Sequence, residues 1–162
     1  MRYRYLFGPV SSRRLGLSLG VDLLPFKTCT LDCVYCELGA TTALTSERRE
    51  YVPTEAVIAE LDDYLREAPP LDYITFAGSG EPLLHTGIGD ITRHLKENHP
   101  GYRVALLTNG TLFSVPGVLD EIAHVDLIVP SLDAFSDEIF AAVNRPVPGL
   151  EASEVLKGLE QF

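Results

Sequence analysis

The sequence has 162 residues, of which 46% are apolar, and it carries a formal net charge of −10 at pH 7. This length fits one domain, and the apolar content is enough for a buried core rather than a disordered segment. The acidic balance argues against binding of a nucleic-acid backbone over a broad surface. It leaves room for a local basic patch at Arg13, Arg14, Arg48 and Arg49, although such pairs more often form solvated faces.

No stretch approaches the roughly 20 apolar residues that a membrane-spanning helix needs. The first residues also lack the continuous apolar run of a secretory signal peptide. We therefore expect a cytoplasmic protein with no membrane partner. Thiols stay reduced in the cytoplasm, so cysteines there serve metals or catalysis more often than disulfides.

Short β-rich runs alternate with amphipathic segments along the chain. Strands are predicted at residues 17–24, 73–77, 104–107 and 127–129. Helices are predicted from Thr54 as the N-cap, around 88–95, around 119–122, after Ser136 as the N-cap, and from about 151 to the end. The apolar faces of the last two helices are expected to contain Ile139, Phe140, Val143, Val155, Leu156, Leu159 and Phe162.

Strands that alternate with helices of this length predict βα units around a parallel sheet. Four strands are too few to close an eight-stranded barrel, which needs about 250 residues. We interpret residues 1–162 as a single α/β domain that forms an incomplete parallel β/α barrel of about four to five βα units. Truncation at the C-terminus would explain why the last strands of the barrel are missing.

The segments that follow the predicted strands contain the cysteines, GSGEP, TNG and SLD. Ligands of parallel α/β sheets bind at the carboxyl ends of the strands. All four segments are therefore expected to lie on one edge of the sheet, where they would form a site.

The three cysteines of the chain, Cys29, Cys33 and Cys36, lie within eight residues. Their spacing also fits one face of a helix, where they would form a small buried stripe. Structural zinc prefers four ligands, and the nearest histidine, His85, is far along the chain. A thioredoxin-like pair at Cys33 and Cys36 would leave Cys29 without a role.

A cubane [4Fe–4S] cluster normally takes one thiolate per iron. Three thiolates from one short loop leave one iron without a protein ligand, and an open coordination site is typical of a catalytic metal. The cysteine spacing therefore favours a cluster that binds a further group at its free iron.

The segment CTLDCVYC resembles the CxxxCxφC motif of the radical SAM superfamily, with Tyr35 at the aromatic position. The resemblance implies that Cys29, Cys33 and Cys36 hold a [4Fe–4S] cluster whose free iron chelates S-adenosylmethionine. An electron from the cluster then breaks a carbon–sulfur bond and releases a 5′-deoxyadenosyl radical. An external donor of the flavodoxin or ferredoxin kind is implied as the source of that electron. The incomplete barrel is then expected to be of the radical SAM type.

Three further segments resemble motifs of the same superfamily in the same order. The segment Ser79-Gly80-Glu81-Pro82 resembles its GGE motif, with Ser79 in place of the first glycine, and the other two are TNG and SLD. Read alone, each segment also fits an ordinary turn after a strand. The resemblance implies cofactor contacts from Tyr35, Ser79, Gly80, Glu81, Thr108, Asn109, Ser131 and Asp133.

A narrower resemblance covers nearly the whole chain. FGPVSSRRLG, KTCTLDCVYCELG, GSGEPLLH, TNG and NRPVPGL resemble a group of iron–sulfur oxidoreductases related to the enzymes that form the wyosine base of transfer RNA. The acidic charge makes transfer RNA a weakly supported partner, and the substrate stays open. The alternative from another class is a zinc-binding or iron–sulfur-binding module without catalytic activity.

Overall fold

Seven strands and five α-helices make up the fold in the computed structural model, which describes residues 2–162. The strands are β1 (Leu6–Ser12), β2 (Gly16–Val21), β3 (Thr28–Cys29), β4 (Ala43–Leu44), β5 (Tyr73–Phe76), β6 (Arg103–Thr108) and β7 (Leu127–Pro130). The helices are α1 (Thr54–Leu65), α2 (Ile88–Asn98), α3 (Val118–Glu121), α4 (Asp137–Val143) and α5 (Ala152–Gln161), and a 3₁₀ turn covers Pro82–Leu84.

A five-stranded sheet with the order β1-β2-β5-β6-β7 forms the centre of the fold, and β3 and β4 form a separate two-stranded sheet. Strands β2, β5, β6 and β7 run parallel, which confirms the predicted parallel sheet. Strand β1 pairs antiparallel with β2 and makes the sheet mixed. Within residues 2–162 the sheet is open, because β1 and β7 form its two edges and do not pair.

The first two strands differ from the sequence prediction. The apolar pattern does not predict β1, because Gly8 and Pro9 interrupt it and most of its side chains are exposed. Its pairing with β2 creates the strand. The strand predicted at 17–24 ends at Val21, because Asp22 turns the chain and its Oδ1 accepts the N–H of Leu24 at 3.3 Å.

One face of the sheet is apolar and packs against the helices. Neighbouring strands align Leu19 with Ile74 and Ile74 with Val104, and all three side chains are buried. The opposite face is mixed, because it carries Ser18 and Thr75, whose hydroxyls lie 2.6 Å apart, together with Leu107 and Val129. The parallel strands follow the chain order, so right-handed crossovers place their helices on the same face of the sheet.

The helices lie where the apolar spacing predicts them, but some details differ. Helix α1 begins at Thr54, yet Pro53 occupies the N-cap position and Thr54 is the first helical residue. The predicted cap of α4 is confirmed, because Ser136 Oγ accepts the N–H of Ile139 at 3.4 Å. The Ile139 side chain itself is exposed, since α4 packs mainly through Phe140.

The prediction of which residues form the inner face of α5 is only partly correct. Its buried residues are Ala152, Val155 and Gly158. Phe162 is 56% exposed, because it lies at the end of the helix and contacts the core through a single stacked ring, that of Phe113. No helix in the described part of the chain is long and apolar enough to span a membrane.

Asp62 connects α1 to the end of α2. Its Oδ1 accepts hydrogen bonds from Nε2 of His94 at 2.8 Å and from Nε2 of His99 at 2.7 Å. Partial burial opposes the charged form, but these hydrogen bonds outweigh it and lower the pKa of Asp62. The charged carboxylate therefore stabilises the packing of α1 on α2.

We expect Asp62→Asn to lower the free energy of unfolding by about 1 kcal/mol at neutral pH, because hydrogen bonds to a neutral amide oxygen are weaker. The lowered pKa means that the contribution of Asp62 is present above the usual aspartate pKa and is lost as the pH falls through the folded value. Urea unfolding from neutral to acidic pH measures the difference. Asp90→Asn is the control, because it removes only an exposed pair with Arg93. Equal effects of the two substitutions would contradict the assignment.

Candidate metal and cofactor site

The cysteine loop, residues 29–36, begins beside the segment that follows β5. Thr28 forms a parallel bridge with Gly80, and its carbonyl accepts the N–H of Glu81 at 3.2 Å. The approach is so close that a Cβ atom on Gly80 would lie 1.7 Å from this carbonyl oxygen. Glycine is therefore required at position 80 for backbone packing.

The cysteine loop also contacts the segment 143–147, which begins at the last residue of α4. Asp32 donates its N–H to the carbonyl of Asn144 at 2.9 Å, and Val34 donates to the carbonyl of Val143 at 2.9 Å. The carbonyl of Thr30 accepts the N–H of Val147 at 2.9 Å. The cysteine loop is thus held between two segments that are distant in sequence.

Each of the three thiols accepts a hydrogen bond from a different side-chain N–H group. The pairs are Lys27 Nζ to Cys36 Sγ at 3.0 Å, Asn144 Nδ2 to Cys33 Sγ at 3.3 Å, and Asn109 Nδ2 to Cys29 Sγ at 3.6 Å. Donors of this kind favour the thiolate, which is the form that binds metals. The arrangement differs from a buried apolar stripe on a helix and suits the binding of a metal.

The environments of Cys29 and Cys36 differ. Burial raises the pKa of Cys29 to about 11. Burial acts in the same direction on Cys36, but the hydrogen bond from the Lys27 ammonium, a backbone hydrogen bond from Leu38 and the charge of Lys27 together outweigh it and lower the pKa of Cys36. The loop therefore contains one thiol that ionises readily and one that needs a metal to displace its proton.

The three thiols do not all lie within 4.8 Å of one another. Two thiolates on one zinc ion lie about 3.8 Å apart, given a Zn–S distance of about 2.3 Å. In the described residues, Asp62, His94 and His99 form a group of metal-ligating side chains whose ligand atoms all lie within 4.8 Å of one another. The cysteines do not form such a group. A cube that takes one thiolate per iron spreads its ligands more widely than one ion does. The loop geometry therefore suits a cluster better than zinc.

Glu81 lies inside the site, at 2% exposure, and not on its surface. Its Oε1 accepts the hydroxyl of Thr108 at 2.7 Å, and its Oε2 accepts the backbone N–H of Asn109 at 2.8 Å. Oε1 also accepts the N–H of Leu83 at 3.1 Å. Burial raises the pKa of Glu81. The carboxylate connects the segment after β5 to the segment after β6.

Asp133 connects the segment after β7 to the cysteine loop. Its Oδ2 accepts a hydrogen bond from the hydroxyl of Tyr35 and another from Nδ2 of Asn144 at 2.7 Å. Tyr35, Ser131 and Asp133 are all exposed at this edge of the sheet. They are therefore accessible to a ligand that lies over the cysteine loop.

Ser79 is hydrogen-bonded to the end of β2. Its hydroxyl donates to Oδ2 of Asp22 at the end of β2, and its backbone N–H donates to the same oxygen at 3.0 Å. The structure thus gives Ser79 a role in shaping the turn after β5. His85 is also structural, because it is fully buried and bonded to the carbonyl of Val52 and the N–H of Gly87.

Sequence reasoning did not assign Lys27 or Asn144 to the site, although Lys27 begins the segment KTCTLDCVYCELG and Asn144 begins the segment NRPVPGL. Asn144 is buried, and its Oδ1 has no hydrogen-bond partner among the described residues. An acceptor without a partner beside Cys33 and Asp133 fits a ligand that brings its own N–H or O–H donor. This observation agrees with a site for S-adenosylmethionine, whose ammonium and hydroxyl groups are such donors.

A family model described as the Radical SAM superfamily matches residues 23–162. The match includes the three cysteines and the segments after β5, β6 and β7. The chain therefore belongs to the Radical SAM superfamily, which confirms the resemblance found in the motifs. Members of this superfamily use a [4Fe–4S] cluster and S-adenosylmethionine.

Curated relatives match over most or all of this chain. A UPF0026 protein of Synechocystis sp. is 36% identical over 159 residues, which are 97% of this chain and 58% of that protein. A protein named GTPase Obg from Brachyspira hyodysenteriae is 35% identical over 162 residues, which are 100% of this chain and 24% of that protein. A GTP 3′,8-cyclase of Limosilactobacillus fermentum is 30% identical over 135 residues, which are 81% of this chain and 37% of the cyclase. The chain thus spans less than two thirds of the length of each of these relatives.

We expect Glu81→Ala to lower the free energy of unfolding by about 3 kcal/mol, because it leaves the backbone N–H groups of Asn109 and Leu83 without acceptors. Denaturant unfolding of the full chain measures the loss. Glu160→Ala, at an exposed position on α5, is the control and should change stability little. A loss no larger than that of the control would show that the Glu81 carboxylate does not connect the two segments.

Proposed function

We propose that this chain is the cofactor-binding part of a radical SAM enzyme in which Cys29, Cys33 and Cys36 each ligate one iron of a [4Fe–4S] cluster. The observation that carries the proposal is the loop of three thiols, each with its own N–H donor, at the carboxyl edge of the parallel sheet. The sequence contains no fourth cysteine, so one iron stays available to S-adenosylmethionine. When bound, the cluster would supply the electron that cleaves S-adenosylmethionine, and a 5′-deoxyadenosyl radical would then be available to abstract hydrogen from a substrate.

The residues around the loop would act in two ways. Glu81 and Thr108 are buried and would hold Asn109 in place without reaching the cofactor. Tyr35, Ser131 and Asp133 are exposed over the loop and would contact the cofactor directly. Ser79 and Gly80 would act through the shape of their turn.

The winding of the sheet supports a partial barrel of the radical SAM type. The parallel strands follow the chain order, which places the crossover helices on one face, as in a barrel and unlike a doubly wound sheet. The opposite face carries small and polar residues such as Ser18 and Thr75 together with apolar ones such as Leu107. That face would line the inside of the barrel.

The substrate and the partners are also proposals. An external flavodoxin-like or ferredoxin-like protein would supply the electron. A net charge of −10 disfavours a transfer RNA substrate. Arg48, one of the four arginines of the basic patch, is already bonded to Glu121 and to the carbonyl of Leu83.

We expect the full chain, reconstituted anaerobically with iron and sulfide, to bind about four irons, and Cys33→Ser to bind fewer than about one. The reason is that two thiolates hold a cubane poorly. Iron and sulfide analysis with electron paramagnetic resonance (EPR) measures both, and Ser46→Ala in the exposed loop nearby is the control. Addition of S-adenosylmethionine should change the EPR spectrum of the reduced cluster.

A zinc-binding or iron–sulfur-binding module without turnover is the alternative. Tightly bound zinc that iron does not displace would support a zinc module. A cubane whose EPR spectrum does not change when S-adenosylmethionine is added would support a non-catalytic iron–sulfur module. Either result would contradict the enzymatic proposal.

We expect Asn144→Ala to weaken binding of S-adenosylmethionine to the cluster-loaded protein by roughly tenfold, which corresponds to about 1.4 kcal/mol. The substitution removes the acceptor Oδ1 and the amide N–H donor to Asp133 and to Cys33. Titration of the EPR change against S-adenosylmethionine concentration measures the affinity. Asn98→Ala, at the end of α2, is the matched control. Unchanged affinity in Asn144→Ala with a full cluster would remove Asn144 from the cofactor site.

A further inference from the structure

Lys27 is buried, at 3% exposure, although it carries an ammonium group. Burial of a charge costs several kcal/mol unless an opposite charge compensates it. In residues 2–162 no carboxylate oxygen lies within ion-pair distance of Lys27 Nζ. Its hydrogen-bond partner is Cys36 Sγ at 3.0 Å. The anion that compensates Lys27 is therefore the thiolate of Cys36 and whatever that thiolate binds.

The backbone of Lys27 is fixed on two sides. Its N–H donates to the carbonyl of Ser79 at 2.7 Å, and its carbonyl accepts the N–H groups of Thr42 at 3.1 Å and Ala43 at 3.0 Å. Its φ of +56° lies in the left-handed region, which a lysine seldom adopts. Surrounding hydrogen bonds hold this conformation in place, so the ammonium is positioned by the fold itself.

Lys27 differs from the other two donors to the thiols. Asn109 and Asn144 donate through neutral amides, whereas Lys27 brings a full positive charge. A neutral N–H donor to a cluster sulfur favours the reduced cluster, because that state carries more negative charge. A cation beside the same sulfur acts in the same direction. The cation acts more strongly, because charge–charge interactions exceed charge–dipole interactions at short distance in a partly buried site.

We propose that Lys27 is a positioning residue that raises the reduction potential of the iron–sulfur cluster by holding a positive charge against the Cys36 ligand. The inference rests on the proposed function, because it requires that Cys36 ligate the cluster. A cubane with three thiolates carries negative charge, and the electron from the external donor increases that charge. The buried ammonium stabilises the reduced cluster more than the oxidised one, so the donor can be less strongly reducing.

The test is an EPR-monitored redox titration of the reconstituted full chain. The variants are Lys27→Met, which removes charge and donor, Lys27→Gln, which keeps an N–H donor without charge, and Lys27→Arg, which keeps both. At a fixed potential, Lys27→Met and Lys27→Gln should lower the ratio of reduced to oxidised cluster by about tenfold, or about 59 mV for a one-electron couple. Lys27→Arg should stay close to the unmodified protein.

Lys157→Met is the control, because Lys157 is exposed on α5. If Lys27→Met fails to assemble a cluster, Lys27→Gln decides the question, since its side chain still fills the space and donates to sulfur. A cubane of unchanged potential in Lys27→Gln overturns the role of Lys27 and leaves the proposed function intact. The absence of a cubane from the unmodified protein overturns the proposed function, and this inference with it.

Discussion

Backbone hydrogen bonds hold the cysteine loop between the segment after β5 and the segment after α4, and the positions of the thiols depend on them. The loop has no helix of its own, and its regular structure is limited to the short strand β3. Thr28 supplies the contact on one side, through its bridge to Gly80. Asp32 and Val34 supply it on the other, through the carbonyls of Asn144 and Val143. The donors reach the three sulfurs because both segments are in place.

The site combines buried residues that position the loops with exposed residues that can meet a ligand. Glu81 accepts three hydrogen bonds inside the protein, so its carboxylate acts on the site through Thr108 and Asn109. Asp133 is exposed and reaches the loop through Tyr35 and Asn144. This division has a physical reason. A buried carboxylate must be fully hydrogen-bonded to be tolerated, whereas an exposed one retains capacity for a cofactor.

The parallel sheet fixes where these segments meet. Strands β2, β5, β6 and β7 are consecutive neighbours in one sheet, so the segments at their carboxyl ends are brought to one edge. The helices pack on the apolar face and leave the mixed face, which carries Ser18 and Thr75, uncovered by the crossover helices. Membership of the Radical SAM superfamily agrees with this arrangement, since the chemistry of that superfamily requires a cluster and a second cofactor side by side.

The sequence by itself determined the βα alternation, because apolar spacing follows helix and strand periods. The resemblance of its cysteine segment, and of the later GSGEP, TNG and SLD segments, to known motifs indicated the superfamily. The sequence did not determine β1, whose pairing with β2 is a contact between separate segments rather than a local preference. Only the tertiary structure placed Lys27 against Cys36 and Asn144 against Cys33. Which donor faces a given sulfur depends on how distant segments pack, and neither spacing nor composition encodes that contact directly.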